Sequence, residues 1–114
     1  MNPITQPETE IHELLQELWQ RYLPSTQERL DVLEHAVRIC GDGILGEADR
    51  AEAQSAAHKL SGNLGMFGHQ EAGEVAGKIE HIFKELSLEK IPRLDGLMQR
   101  LRALLGPHLR PSLE

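Results

Sequence analysis

The stretch QSAAHKLSGNLGMFGHQEAG, residues 54–73, combines the pattern of an amphipathic helix with four glycines. Ala56, Leu60 and Leu64 recur at helical spacing, so the left half of the stretch predicts a helix with one apolar face. Each glycine inside a helix costs about 1 kcal/mol relative to alanine. The glycines follow a lone histidine, His58, which suggests that they serve a purpose connected with it.

A helical wheel places His58 opposite the apolar face, so its imidazole is predicted to face solvent. Gly62 and Gly65 lie within about 40° of His58 on the same wheel, at about 100° per residue. Exposed glycines gain nothing from packing, but they leave the surface beside the imidazole bare. Gly62 and Gly65 are therefore predicted to provide clearance for a partner protein.

The other glycines of this region have structural interpretations. Gly68 is expected to end the helix, because glycine readily adopts the left-handed conformation found at helix C-termini. Gly73 and Gly77 are expected to let two helices approach each other closely.

The fold class follows from length and composition. The chain has 114 residues, which is enough for one domain, and aromatic residues make up only 4% of it. Leucine and alanine dominate, whereas strand-favouring residues are scarce. Residues 1–114 are predicted to form a single all-α domain, an antiparallel up-down four-helix bundle with an additional N-terminal helix.

Helix boundaries are predicted from apolar periodicity and from helix breakers. The additional N-terminal helix is predicted over about 8–23, where Pro24 ends it. Ser25 and Glu28 have the spacing of a capping box and predict the start of the next helix. The bundle core is predicted over about 28–105, and the tail over 106–114 is expected to be flexible. Later helices are predicted from about Glu47, from near Gln70, and across Leu94 to Leu105.

Charge and cysteine content exclude several classes of function. Asp and Glu outnumber Lys and Arg by 18 to 12, so the net charge of −6 disfavours nucleic-acid binding. The single cysteine, Cys40, rules out an intrachain disulfide and is expected to be a buried thiol.

No ligand motif predicts a metal site. The absence of a long apolar run and of a signal peptide predicts a cytoplasmic protein without membrane insertion.

An exposed histidine on a convex helix lacks the pocket that general-base catalysis requires. Histidine can instead act as a covalent nucleophile, and phosphoryl transfer depends mainly on positioning and charge neutralisation. Lys59 and Ser61 are close enough to His58 in sequence to support a phosphoryl group or a docking partner. We therefore expect His58 to carry the chemistry.

The segment AHKLSGNLGMFG, residues 57–68, resembles the site of histidine-containing phosphotransfer (HPt) domains of bacterial multistep phosphorelays. Leu60 and Gly62 stand where that family carries leucine and glycine after its phospho-accepting histidine. The resemblance covers about 28–105 and implies that His58 is phosphorylated. It also implies that Glu80, at the end of EVAGKIE, hydrogen-bonds the histidine ring.

The resemblance implies partners and cofactors as well. Receiver domains of response regulators or of hybrid histidine kinases are the expected partners, and His58 would pass a phosphoryl group from one receiver aspartate to another. Mg²⁺ is expected in the receiver, so this chain is expected to need no cofactor. No ATP-binding motif is present, so the chain is not expected to have kinase activity of its own. It is predicted to be a phosphocarrier rather than a true enzyme, and to be a monomer.

Two alternatives remain open from the sequence. The family usually carries a lysine three residues after the histidine, where this chain has Ser61, so the domain could be a degenerate module that docks receivers or kinases without phosphotransfer. Alternatively, the glycine face could be a helix–helix contact in an assembly or dimerisation domain. In that case the surface around His58 and Gly62 would be buried between copies.

Overall fold

The computed structural model describes residues 7–110, and within them it contains helices and no strand. This confirms the prediction of an all-α chain. Four α-helices are followed by a short 3-10 turn, in this order: α1 Pro7–Asp42, α2 Glu47–Met66, α3 Gln70–Lys84, α4 Ile91–Leu105 and the turn Gly106–His108. The predicted starts of α2 and α3 are confirmed, while the antiparallel arrangement of all four helices stays a prediction.

The prediction that residues 8–23 form a separate helix ending at Pro24 is wrong. These residues are helical, but α1 continues through Pro24 as one helix of 36 residues. Proline removes one backbone donor from the helix, but tertiary packing offsets that loss. Trp19 and Leu23 just before it are buried in the core. Thr26 is also buried, and its Oγ1 donates a hydrogen bond of 3.1 Å to the carbonyl of Tyr22. The predicted capping box at residues 25–28 therefore lies inside a helix.

The core is built from the apolar faces of all four helices. Leu30 and Leu33 of α1 are fully buried, and Cys40 is 7% exposed, so the expected buried thiol is confirmed. Burial raises the pKa of the Cys40 thiol, because a thiolate is poorly solvated there. Other fully buried large side chains are Leu60, Leu64, Ile79, Phe83, Leu94, Leu101 and Leu105.

The connection between α2 and α3 is only three residues long. Gly68 has φ +88°, and its N–H donates to the carbonyl of Gly65 over 3.1 Å. The N–H of His69 donates to the carbonyl of Leu64 over 2.8 Å. These two bonds form a Schellman motif, so the prediction that Gly68 ends the helix is confirmed.

The first residues of the predicted tail are bonded to α1. Trp19 Nε1 donates to the carbonyl of His108 over 2.8 Å, and Gln27 Nε2 donates to the carbonyl of Leu109 over 3.0 Å. The ring of His69 packs in a tilted orientation against the rings of Trp19 and His108, with centroid distances of 4.7 Å and 4.5 Å. Burial, and secondarily repulsion from His108, lowers the pKa of His69. Residues 111–114 lie outside the described part, and the flexibility of the tail stays a prediction.

Membrane insertion was not expected from the sequence. Across residues 7–110, none of the helices has the length and apolar character that a bilayer crossing requires.

Candidate functional site

His58 lies near the middle of α2 and its side chain is 74% exposed. The apolar residues of the same helix face the other way, since Ala57, Leu60 and Leu64 are fully buried. The helical-wheel prediction that the imidazole faces solvent is therefore confirmed. Because the buried residues anchor the helix, the ring is presented from a rigid element rather than from a loop.

His58 Nδ1 lies 2.9 Å from Oε2 of Glu80 on α3, whose side chain is 26% exposed. An ionised carboxylate can only accept hydrogen bonds, so the proton of the pair lies on Nδ1 of the histidine. In the neutral ring the other nitrogen, Nε2, then carries the free lone pair. The structure thus brings Glu80 to the ring, as the resemblance implied, and leaves Nε2 as the exposed ring nitrogen without a side-chain partner among residues 7–110.

The surface C-terminal to His58 on α2 is bare. Gly62 and Gly65 are both exposed, and a Cβ built on either would meet nothing within 4 Å. A side chain could therefore be accommodated at both positions as far as the fold is concerned. The fold gives no packing reason for glycine at either position, and clearance for a partner stays a prediction.

Lys59 and Ser61 occupy different environments. Lys59 is exposed and, among the described residues, makes no side-chain hydrogen bond or ion pair. Ser61 is half-buried, and its hydroxyl oxygen lies 3.3 Å from the position that a Cβ on Gly77 of α3 would take. The structure therefore directs Ser61 toward the interface between α2 and α3, and within the described part of the chain neither residue makes a hydrogen bond or an ion pair with the imidazole.

A surface depression of about 430 Å³ adjoins the imidazole on its N-terminal side, for which the sequence analysis predicted no role. Ala51, Gln54 and Ser55 line it together with His58 and Glu80. Helical side chains lean toward the N-terminus of their helix. The ring therefore lies over the preceding turn of α2, and this lean was the available signal for finding these residues.

Arg50 fixes the edge of this depression. Its Nη1 donates to Gln54 Oε1 over 2.9 Å and to the carbonyl of Phe83 over 2.8 Å, which ties α2 to the C-terminal end of α3. Its other nitrogens bind Glu47, and that hydrogen bond lowers the pKa of the Glu47 carboxyl. Arg50 is thus committed to structural contacts at the edge of the depression, next to Ala51.

No group of three or more His, Cys, Asp or Glu side chains within residues 7–110 is arranged to hold a metal ion. Around His58, the charged side chain in contact with the ring is that of Glu80. The arrangement provides one exposed imidazole, oriented by an acidic partner, on an open helix face.

Comparison with known proteins shows which family the chain belongs to. Residues 17–105 match the family model described as Hpt domain. A stretch of 67 residues, 59% of the chain, is 33% identical to Protein RcaC of Microchaete diplosiphon, and it corresponds to 10% of that protein's length. No solved structure matches the chain significantly. Because the family match covers most of the sequence, the chain belongs to the Hpt domain family, whose members act with receiver domains in phosphotransfer relays.

Proposed function

We propose that this domain is a phosphorelay intermediate in which His58 accepts a phosphoryl group from a receiver-domain aspartate and passes it to another receiver. The observation that carries the proposal is the hydrogen bond between His58 Nδ1 and Glu80 Oε2. It holds the ring proton on Nδ1 and leaves the lone pair of an exposed Nε2 free for attack.

The proposed transfer is a direct displacement at phosphorus. Nε2 of His58 forms a bond to phosphorus while the bond between phosphorus and the aspartyl oxygen breaks, and the receiver carboxylate leaves with the electron pair. The proton on Nδ1 stays in place, so the phosphorylated ring carries a positive charge. The carboxylate of Glu80, in contact with Nδ1, stabilises that charge. Transfer to the next receiver reverses these bond changes.

The open surface around His58 fits a partner that supplies the rest of the active site. Phosphoryl transfer requires a cation near the phosphoryl oxygens, and we assign this role to Mg²⁺ held by the receiver. The chain would then need no cofactor of its own and would act as a monomeric carrier.

Docking of the receiver is proposed to use the surfaces on both sides of the ring. Gly62 and Gly65 leave the C-terminal side bare, so the backbone of a partner can approach. The depression lined by Ala51 and Ser55 lies on the N-terminal side. Lys59 is free to bind the phosphoryl oxygens or an acidic rim of the receiver, and it is the nearest exposed lysine in sequence to His58.

Phosphotransfer from a panel of phosphorylated receiver domains tests this function. The wild-type chain should take up acid-labile, base-stable phosphate, visible as a mobility shift on a phosphate-affinity gel. His58→Gln should take up none. Lys59→Gln serves as a second variant and should slow transfer without abolishing it. Uptake by His58→Gln at the wild-type rate would exclude His58 as the acceptor.

A docking module without phosphotransfer is the second candidate, and the position of Ser61 favours it. The site has no lysine at this position to neutralise phosphoryl oxygens, and the Ser61 hydroxyl faces α3. Such a module would form a stoichiometric complex with a receiver, seen by calorimetry, while the receiver phosphate remained on its aspartate.

A further inference from the structure

Gly73 lies where α3 packs against the backbone of α2. A Cβ built on Gly73 would lie 3.1 Å from the backbone oxygen of Ser61 and 3.3 Å from the backbone nitrogen of Gly65. Both distances are shorter than ordinary van der Waals contact by up to a few tenths of an ångström, and backbone atoms inside a helix cannot rotate away. Any residue larger than glycine at position 73 would therefore push α3 away from α2.

Gly77 makes a similar approach one turn further along α3. A Cβ there would lie 3.3 Å from the hydroxyl oxygen of Ser61. This contact involves a side chain, so the clash at position 77 would disappear if the hydroxyl were removed. The close spacing of the two helices thus depends on backbone contacts at Gly73 and on a pair of small residues at Ser61 and Gly77.

The spacing of the helices bears directly on the histidine. Gly73, Gly77 and Glu80 are spaced i, i+4 and i+7, so they share one face of α3. Glu80 Oε2 reaches His58 Nδ1 at 2.9 Å across the same interface. Hydrogen bonds involving nitrogen and oxygen are formed at about 2.7–3.2 Å, so a shift of a few tenths of an ångström is enough to weaken this one.

We infer that Gly73 and Gly77 are positioning residues that keep α3 close enough to α2 for Glu80 to hold the ring proton of His58 on Nδ1. The inference rests on the proposed function only for its effect on phosphotransfer, because the orientation of the ring is a structural property. Ser61 takes part as the small residue opposite Gly77.

Nuclear magnetic resonance of the His58 ring nitrogens tests the geometry without any phosphate. In alkaline buffer the wild-type spectrum should show a protonated Nδ1 and an unprotonated Nε2. Gly73→Ala should shift this signature toward that of an imidazole without a hydrogen-bond partner, in which the Nδ1–H and Nε2–H tautomers are both populated. Gly96→Ala on α4 is the matched control, because a Cβ there meets nothing within 4 Å, and it should leave the ring signature unchanged. An unchanged ring in folded Gly73→Ala would overturn the inference.

Phosphorylation by phosphoramidate, a small donor that needs no docking, tests the consequence. Gly73→Ala should slow phosphorylation of His58 by about the same factor as Glu80→Gln, about five- to tenfold. In the Gly73→Ala background, Glu80→Gln should have little further effect, because the contact would already be lost. Fully multiplicative effects would show that Gly73 acts independently of Glu80 and would contradict the inference.

Gly77→Ala keeps the inference testable if Gly73→Ala fails to fold. Its effect on the ring signature should be reversed by Ser61→Ala, which removes the contacting hydroxyl. Ser61→Ala should not rescue Gly73→Ala, whose contact is to the backbone oxygen. A Gly77→Ala chain with the wild-type ring signature would contradict the role of this position. If the wild-type chain is never phosphorylated but the ring responds as described, the proposed function fails and the positioning role stands.

Discussion

Glu80 Oε2 lies 2.9 Å from His58 Nδ1, although the two residues are 22 positions apart in the sequence. The contact joins the exposed face of α2 to a half-buried position on α3, so it depends on how the two helices pack. Because the carboxylate contacts the nitrogen that holds the proton, it determines which nitrogen can act as a nucleophile. The chemistry proposed for this domain therefore depends on a relationship between helices rather than on the histidine alone.

Glu80→Gln is expected to slow phosphotransfer to His58 by about five- to tenfold. Glutamine can still accept the hydrogen bond from Nδ1, but it lacks the charge that stabilises the phosphorylated ring, a difference of about 1 kcal/mol at an exposed site. Initial rates with one phosphorylated receiver measure the effect. Glu74→Gln is the matched control, since Glu74 is an exposed residue of the same helix without a side-chain partner among residues 7–110. Equal rates for the two variants would argue against a role of Glu80.

Gly62→Leu is expected to stabilise the fold while slowing transfer from receivers. Replacing an exposed helical glycine by leucine gains about 0.5–1 kcal/mol in the free energy of unfolding, and the site has open space for a side chain. The same side chain would occupy the surface onto which a receiver docks. Urea denaturation and receiver titrations measure the two effects, with a rise in the apparent KM for the receiver expected.

Gly96→Leu provides the control for this substitution, because Gly96 is also an exposed helical glycine with open space. It should give a similar gain in stability and an unchanged KM. Phosphorylation by phosphoramidate should be unaffected in both variants. A wild-type KM for Gly62→Leu would remove the argument that the glycines provide clearance.

The features that sequence reasoning predicted correctly depend on local patterns. The exposure of His58 follows from helical periodicity, and the end of α2 follows from Gly68, whose φ of +88° few other residues adopt. These signals lie within one or two turns of the residue concerned. Tertiary packing had no reason to override them, so they agree with the structure.

The features that were missed depend on contacts between distant segments. Pro24 is a strong local signal for a helix end, but the burial of Trp19 and Leu23 on its N-terminal side outweighs it. Ser61 lies near His58 on the helical wheel, yet its contact with Gly77 could be known only once α3 was in place. Spacing within one helix does not specify which neighbour covers a given face.

The ion pair between Glu34 of α1 and Arg102 of α4 predicts a pH-dependent contribution to stability. The hydrogen bond from Arg102 lowers the pKa of Glu34 below its ordinary value of 4.5. A carboxyl whose pKa is lowered in the folded state stabilises the fold above the unfolded value, and this contribution is lost as the pH falls through the folded value. Glu34→Gln should therefore reduce the free energy of unfolding at about pH 7 and have little effect at about pH 3.

The expected reduction at neutral pH is about 0.5–1 kcal/mol, since both side chains are about one-third exposed and solvent weakens the pair. Urea denaturation of wild type and variant at the two pH values measures it. Glu28→Gln is the control, because Glu28 is an exposed residue of α1 with no side-chain partner in the described part of the chain. A difference between Glu34→Gln and wild type that persists at low pH would contradict the assignment.

The bond from Trp19 Nε1 to the carbonyl of His108 predicts that the segment after α4 stabilises α1. Trp19→Phe removes the donor and should lower the free energy of unfolding by about 1 kcal/mol or more, because the carbonyl loses its partner and the ring is smaller. Truncation after Leu105 removes the acceptor and should also destabilise the chain. Since both changes break the same contact, their combined effect in urea denaturation should be smaller than the sum of the two.

Tyr22→Phe is the control, because it alters an exposed ring nearby, and it should have little effect on the free energy of unfolding. Additive losses for Trp19→Phe and the truncation would show that the two segments stabilise the fold independently.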